Sequence, residues 1–254
     1  MRRFFLSTRM VTREMLRNRV AMALLFLVPT ILYGLIYATT DEHPIIFELR
    51  AHGANPLESS ERNLSLLFMG STTICGLMAF LSFVITWRPI QTDRRLVLEG
   101  YRPWELFGAK ALVVSGAAAS VSLYATALLL LWYHPPHIAG VFLGLFLGGL
   151  IYGLVGIVIG VLSRNDLGGI LIILLLVNID PGWLQNPIFY GHARNRLLIA
   201  WLPGHHPCQV TMLSALTGDS LVPELLQCGT WILAIVAIAA ILYRFRIGTR
   251  RLQS

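Results

Sequence analysis

The sequence predicts an all-α membrane protein: six transmembrane helices, an N-terminal interfacial amphipathic helix, and re-entrant outer helices between the fifth and sixth spans. Three observations carry that reading. The 254 residues are 56% hydrophobic and only 13% charged, whereas soluble domains carry about 25% charge and about 45–50% apolar residues. The surplus is blocked into apolar runs that match the ~20 residues needed to cross a ~30 Å hydrocarbon core as helix. Arginines gather beside those runs, the pattern that orients a chain in a membrane. Residues 1–254 read as one transmembrane domain.

Residues 1–19 hold six arginines and one acid. At ~100° per residue, Phe4, Val11 and Met15 share one face, flanked by Phe5 and Leu16. Arg2, Arg9, Arg13 and Arg17 lie opposite. The pattern predicts a helix lying along the cytoplasmic membrane surface; a solvated basic tail is the plainer alternative. The first span, 20–39, has Pro29 near its middle, where neighbouring helices can satisfy the freed carbonyl. It exceeds the ~7–15 residues of a signal-peptide core, and no A-x-A site follows, so it reads as a retained helix.

Residues 40–62 read as a polar loop (Asp41, Glu42, Glu48, Glu58, Glu61), and the second span as 64–86. After the charged stretch that follows comes the third span, 106–133, then the link HPPH and the fourth span, 138–162. Gly149, Gly153, Gly156 and Gly160, with Gly144 and Gly148 before them, form small-xxx-small pairs that let helix backbones approach closely in lipid. The next apolar run, Leu167–Ile179, has 13 residues, or roughly 20 Å of helix. Parity makes it a span: both ends of the chain are arginine-rich and belong on one side, so it crosses as the fifth span, extended to 167–183. The sixth span is 224–243, with Arg244, Arg246, Arg250 and Arg251 as anchors. This arrangement puts sixteen Arg and Lys inside and four outside. The outer segment 180–223 contains NPIFYG and RLLIAWLPG, pieces too short to span and broken by Pro and Gly. They fit re-entrant or interfacial helices.

The net charge of +7 does not point to nucleic acid, because the arginines flank apolar runs and no zinc-finger, helix-turn-helix or aromatic-platform pattern is present. Cys75, Cys208 and Cys228 lack metal-ligand spacing. They read as unpaired small apolar residues, with a Cys208–Cys228 bridge on the outer side as the alternative. The seven histidines (His43, His52, His134, His137, His192, His205, His206) all fall in expected outer segments. A metal or haem could gather there, but histidine also simply avoids hydrocarbon, and no metal site is assigned. Asp180, beside Pro181 at the outer end of the fifth span, reads as a helix-end turn residue. The near absence of acids inside the spans weakens a proton- or sodium-coupled transporter and an ion channel.

No catalytic constellation appears: no G-x-S-x-G, no H-E-x-x-H, no dinucleotide loop and no Walker G-x-x-x-x-G-K-[ST]. The chain is not expected to be an enzyme or to hold a cofactor, and ATP-driven work would need a partner. The loop between the second and third spans interleaves charge (Asp93, Arg94, Arg95, Glu99, Arg102) with Leu96, Tyr101 and Trp104 around Gly100. It suits docking on a cytoplasmic protein; the bland reading is a solvated positive loop.

Several stretches together resemble the ABC type-2 permeases, transmembrane subunits of exporters of drugs, polysaccharides and lipids. REMLRNRVAMALLFLVP resembles the N-terminus of that family, RRLVLEGYRPWELFGAKAL its cytoplasmic loop, GLVGIVIGVLSRN the end of its fourth helix and WLPGHHPCQV its outer segment. The resemblance covers nearly the whole chain, carried by order and spacing. It implies a second permease, identical or related, and two copies of a separate P-loop ATPase that binds ATP and Mg. It implies that the N-terminal amphipathic helix, with Arg9, Arg13 and Arg17, and the loop Asp93–Trp104 contact the ATPase, and that the re-entrant pieces 184–202 form an outer gate with Pro187, Phe189, Tyr190, Trp201 and Pro203. It also implies a place in the plasma (cell inner) membrane with both termini cytoplasmic. The outer loop 40–62 is longer than a simple drug permease would have. Rival readings are a membrane assembly or anchoring subunit without transport, export linked to metal or haem, and, last, an intramembrane enzyme.

Overall fold

Six helices long and apolar enough to cross a membrane organise the chain, which is described here from a computed structural model of residues 2–53 and 55–248. Arg250 and Arg251, expected as anchors, lie outside the described residues. An opening helix α1 (Arg2–Arg17) precedes α2 (Arg19–Thr39), the first candidate span. The others are α3 (Glu61–Trp87), α5 (Pro103–Leu129), α6 (Ile138–Leu162), α7 (Asp166–Ile179) with its continuation to Leu184, and α11 (Val222–Gly248). Between α3 and α5 lies the short α4 (Ile90–Leu98). Local chemistry sets the boundaries. The Asn18 side-chain Oδ1 accepts from Ala21 N at 3.2 Å, the Ser60 hydroxyl from Asn63 N at 3.2 Å, and Asn165 Oδ1 from Gly168 N at 2.7 Å, each covering an orphan N–H of a first turn. Pro103 occupies the first turn of α5, where its missing N–H costs nothing.

The core runs along α6. Of its most apolar stretch 72% is buried, against 17% in α2 and in α11, so α6 is wrapped by protein while α2 and α11 leave most of their apolar side chains exposed. The expected glycine face is what permits this. A Cβ on Gly149 would press on Ile74 and Met78, on Gly153 on Val114, on Gly156 on the Ala79 carbonyl and on Gly160 on Thr86. Those four positions therefore seat α6 against α3 and α5.

Two differences from the expected layout, and the expected extension of the fifth span, have physical causes. Residues 40–62 are not a plain loop. Pro44–Glu48 (β1) and Pro56–Ser60 (β2) form an antiparallel hairpin, Phe47 opposite Leu57, closed through a 3₁₀ turn and Gly53 at φ +71°. The fifth span lengthens through a π-helical turn, Asp180–Leu184, in which Gln185 N–H donates to the Asp180 carbonyl at 3.2 Å. Pro181 has no N–H with which to continue the α pattern. The helix that doubles back beside α6 is neither α8 (Pro187–His192) nor α9 (Arg196–Ala200) in the expected 184–202 stretch. It is α10 (His205–Leu216), buried at His205 and from Pro207 to Ala215. Pro207 meets Gly148 and Ser214 meets Gly140, so α10 runs antiparallel to α6 from near its middle to its outer end.

The two ends of the bundle differ. Arg3 reaches the Gly100 carbonyl, Arg94 the Arg246 carbonyl and Arg246 the Ser163 carbonyl at one end. At the other, Arg196 pairs with Glu48, His52 with Asp219, and Tyr133 donates to the Ala215 carbonyl.

Candidate functional site

At the arginine-rich end, α1, α4, α5 and α11 meet on a buried ion pair. Lys110, the only lysine in the sequence, lies on α5 in the second turn from Pro103, where the helix begins to bury one face. Its ammonium donates to Asp93 at 2.6 Å and to the Ile85 carbonyl at 3.0 Å, and stands 5.5 Å from the centre of the Tyr243 ring. The Tyr243 hydroxyl donates to the same Asp93 oxygen at 2.7 Å. Asp93 is 5% exposed and Lys110 1%. Ser7, Val11 and Glu14 of α1 line a small cavity of about 40 Å³ over this pair. Such a pair contributes little net stability in a low dielectric, but losing one partner leaves an uncompensated charge. It works as a cross-link between α4, α5, α11 and the end of α3.

Asp93 is therefore a correction to the expected docking surface: it faces the core. Leu96 packs on the core too, and Arg94 bonds the Arg246 carbonyl at 3.2 and 3.3 Å. What faces outward is Arg95, Leu98, Glu99, Arg102 and Trp104, with Leu98 72% and Trp104 59% exposed. Gly100, at φ +94°, turns the chain between α4 and α5; its carbonyl accepts from Arg3 at 2.5 Å, and the Arg3 guanidinium stands 5.6 Å from the Tyr101 ring. On α1, Phe4 lies against Gly108, and Val11 and Met15 join the core, so the apolar stripe docks on the bundle. Arg9, Arg13 and Arg17 are exposed, as are Phe5 and Leu16.

The opposite end holds a second buried carboxylate, Asp180. It stands at the end of α7, as expected, but it is 5% exposed and fully engaged. It accepts from the Tyr152 hydroxyl, from Gln185 Nε2 at 2.8 Å and from Gly204 N at 2.8 Å. The Gln185 amide nitrogen is committed to Asp180, so its oxygen faces His205 Nδ1 at 2.8 Å. His205 then donates through Nδ1, and its Nε2 has no partner among the described residues. Burial, with His206 and Arg50 adding to it, lowers the His205 pKa from 6.5 to about 3. The ring is neutral at physiological pH. Burial also pushes Cys208 up to about 12, so its thiol stays protonated.

The expected gate residues do not share a surface. Pro187 and Tyr190 turn inward, Phe189 and Pro203 are half-buried with Phe189 5.2 Å from the Trp183 ring, and Trp201 is 77% exposed. Trp201 joins Arg50, His206, Gln227 and Trp231 around an open cleft of about 380 Å³. His206 pairs with Glu224 at 2.5 Å and His52 with Asp219, while the His205 and His206 rings meet edge-on with centroids 5.3 Å apart. Among the described residues no group of three or more His, Cys, Asp or Glu is placed to hold a metal. The three cysteines are free and buried.

Sequence reasoning gave Lys110, the single lysine at a helix start, no partner, and it passed over Tyr243. The signal was present: a single lysine against nineteen arginines, placed inside an apolar run where a charge needs a partner. The sequence matches no protein-family model and no curated protein.

Proposed function

We propose that this multi-pass membrane protein is the transmembrane subunit of an ATP-driven exporter, served by two copies of a separate P-loop ATPase and paired with a second permease, identical or related. The observation that carries the reading is the Asp93–Lys110–Tyr243 cross-link beneath an exposed Leu98–Trp104 surface. A partner pressing on that surface would move α4 as a lever whose buried end grips three long helices. The sixteen inside cations against four outside support an inner-membrane location with both termini cytoplasmic. ATP and Mg belong to the partner, since this sequence has no P-loop. In this reading α1 lies at the cytoplasmic interface and α10 is the re-entrant element. The cleft beside Trp201 and Trp231 lets a hydrophobic or amphipathic substrate (drug, antibiotic, lipid or glycan) leave toward the outer leaflet.

The test is co-purification from native membranes in mild detergent, with wild type beside Leu98→Asp/Trp104→Ala. Wild type retains a stoichiometric P-loop ATPase, and the double variant loses it by at least roughly tenfold, the ~1.4 kcal/mol that one hot-spot side chain supplies. Absence of any ATPase from wild-type complexes overturns the exporter reading in favour of an anchoring role. Retention by the variant moves the docking surface elsewhere.

A further inference from the structure

The arginine-rich end carries a second feature that the docking surface does not use. Where α1 passes the junction of α3 and α4, an open recess of about 880 Å³ is lined by Arg13, Glu14, Arg17, Asn18, Arg88 and Thr92. Three guanidiniums and one carboxylate leave it with a formal charge of +2 at neutral pH. The ion pairs and side-chain hydrogen bonds among the described residues leave Arg13, Arg17 and Arg88 without a partner. The Asn18 side-chain Oδ1 is used on Ala21 N, which turns its amide group over to donation. We propose that this recess binds the phosphate head group of an anionic phospholipid.

Position decides in favour of lipid. Arg17 closes α1, and Arg19 opens α2, the first helix apolar enough to span. Arg88 follows Trp87, the last residue of α3, at the same end of the bundle. The guanidiniums thus stand at the ends of two spans, within the ~5–8 Å that separate hydrocarbon from the outer edge of the head groups. Leu16 (55% exposed) and Val20 (70% exposed) stand beside Arg17 and Arg19, offering apolar surface to the first acyl carbons. Arginine suits a phosphate ligand here, because its planar fork holds phosphate oxygens in pairs and sheds water more readily than an ammonium. An acidic protein surface would meet the same charges, but it would have to enter the head-group layer to reach them. The Leu98–Trp104 surface, by contrast, lies at the far end of α4. The lipid site needs only that this end of the bundle meets a membrane surface, so it stands whether or not the chain transports anything.

Native mass spectrometry of the purified full chain, titrated with phosphatidylglycerol and phosphatidylcholine in turn, tests the site. Wild type retains phosphatidylglycerol over phosphatidylcholine. Arg17→Gln and Arg88→Gln each weaken that retention about fivefold, the scale of one cation at a lipid surface. Arg88→Lys, which keeps the charge and loses the fork, falls between. Arg9→Gln, the same charge change on α1 but outside the recess, leaves retention near wild type. An equal loss in Arg9→Gln would show diffuse attraction and overturn the site. So would unchanged phosphatidylglycerol retention in Arg17→Gln and Arg88→Gln, whether or not those variants also lose a co-purifying ATPase. Unchanged elution of each variant on gel filtration separates loss of lipid from loss of fold.

Discussion

The two buried carboxylates stand at opposite ends of one bundle and are neutralised in opposite ways. Asp93 faces a full positive charge, the Lys110 ammonium, with the Tyr243 hydroxyl as a second donor. Asp180 faces no cation among the described residues; a phenol, an amide and a backbone N–H surround it. An ion pair tolerates some shift in geometry because Coulomb attraction falls slowly with distance. A carboxylate held by neutral dipoles depends on every donor staying within hydrogen-bond reach. The difference makes the Asp93 end the more tolerant of small shifts in geometry and the Asp180 end the more dependent on each of its donors.

Removing a charge from the ion pair gives the largest effect. Lys110→Met or Asp93→Asn alone lowers stability by about 3–5 kcal/mol, whereas the joint Lys110→Met/Asp93→Leu exchange recovers most of it. Thermal unfolding of the detergent-solubilised protein reads both, and single variants as stable as wild type would show that the pair does not tie the helices together. The tyrosines come next. Tyr152→Phe costs about 2–3 kcal/mol because Asp180 loses one of its neutral donors, while Tyr243→Phe costs about 1 kcal/mol because Lys110 still covers Asp93. Equal losses in the same unfolding assay would erase the distinction between the two ends.

Acid probes the Asp180 end without any substitution. The folded pKa of His205, about 3, lies below its ordinary 6.5, so the unfolded chain binds the extra proton first as pH falls. Its contribution to stability is complete above pH ~6.5 and shrinks as pH falls toward ~3, by up to about 2 kcal/mol between pH 7 and 5. His205→Gln should flatten that part of the stability profile; a profile as steep as wild type would place the titrating group elsewhere.

The long apolar runs were legible because lipid imposes a length, and the fourth span, 138–162, begins and ends where expected. The glycine face of that helix was legible as well, since only small residues at that spacing allow the contact with α3. Asp93 was misread because its partners lie 17 and 150 residues away, and loop composition says nothing about which acid turns inward. The burial of Asp180 at its helix end was missed for the same reason: Tyr152 and Gly204 reach it from other elements. The α10 helix hid because burial on nearly all sides leaves no apolar period to detect. The hairpin hid because its strands are five residues long and sit among acids.

The outer hairpin has one more consequence, for the order in which the chain is made. Glu48 waits for Arg196, 148 residues later, and His52 for Asp219, 167 residues later. At the ~5–20 residues per second of synthesis, the hairpin stands without its partners for roughly 7–30 seconds after it emerges. The hairpin of this protein is thus laid down early and fastened late.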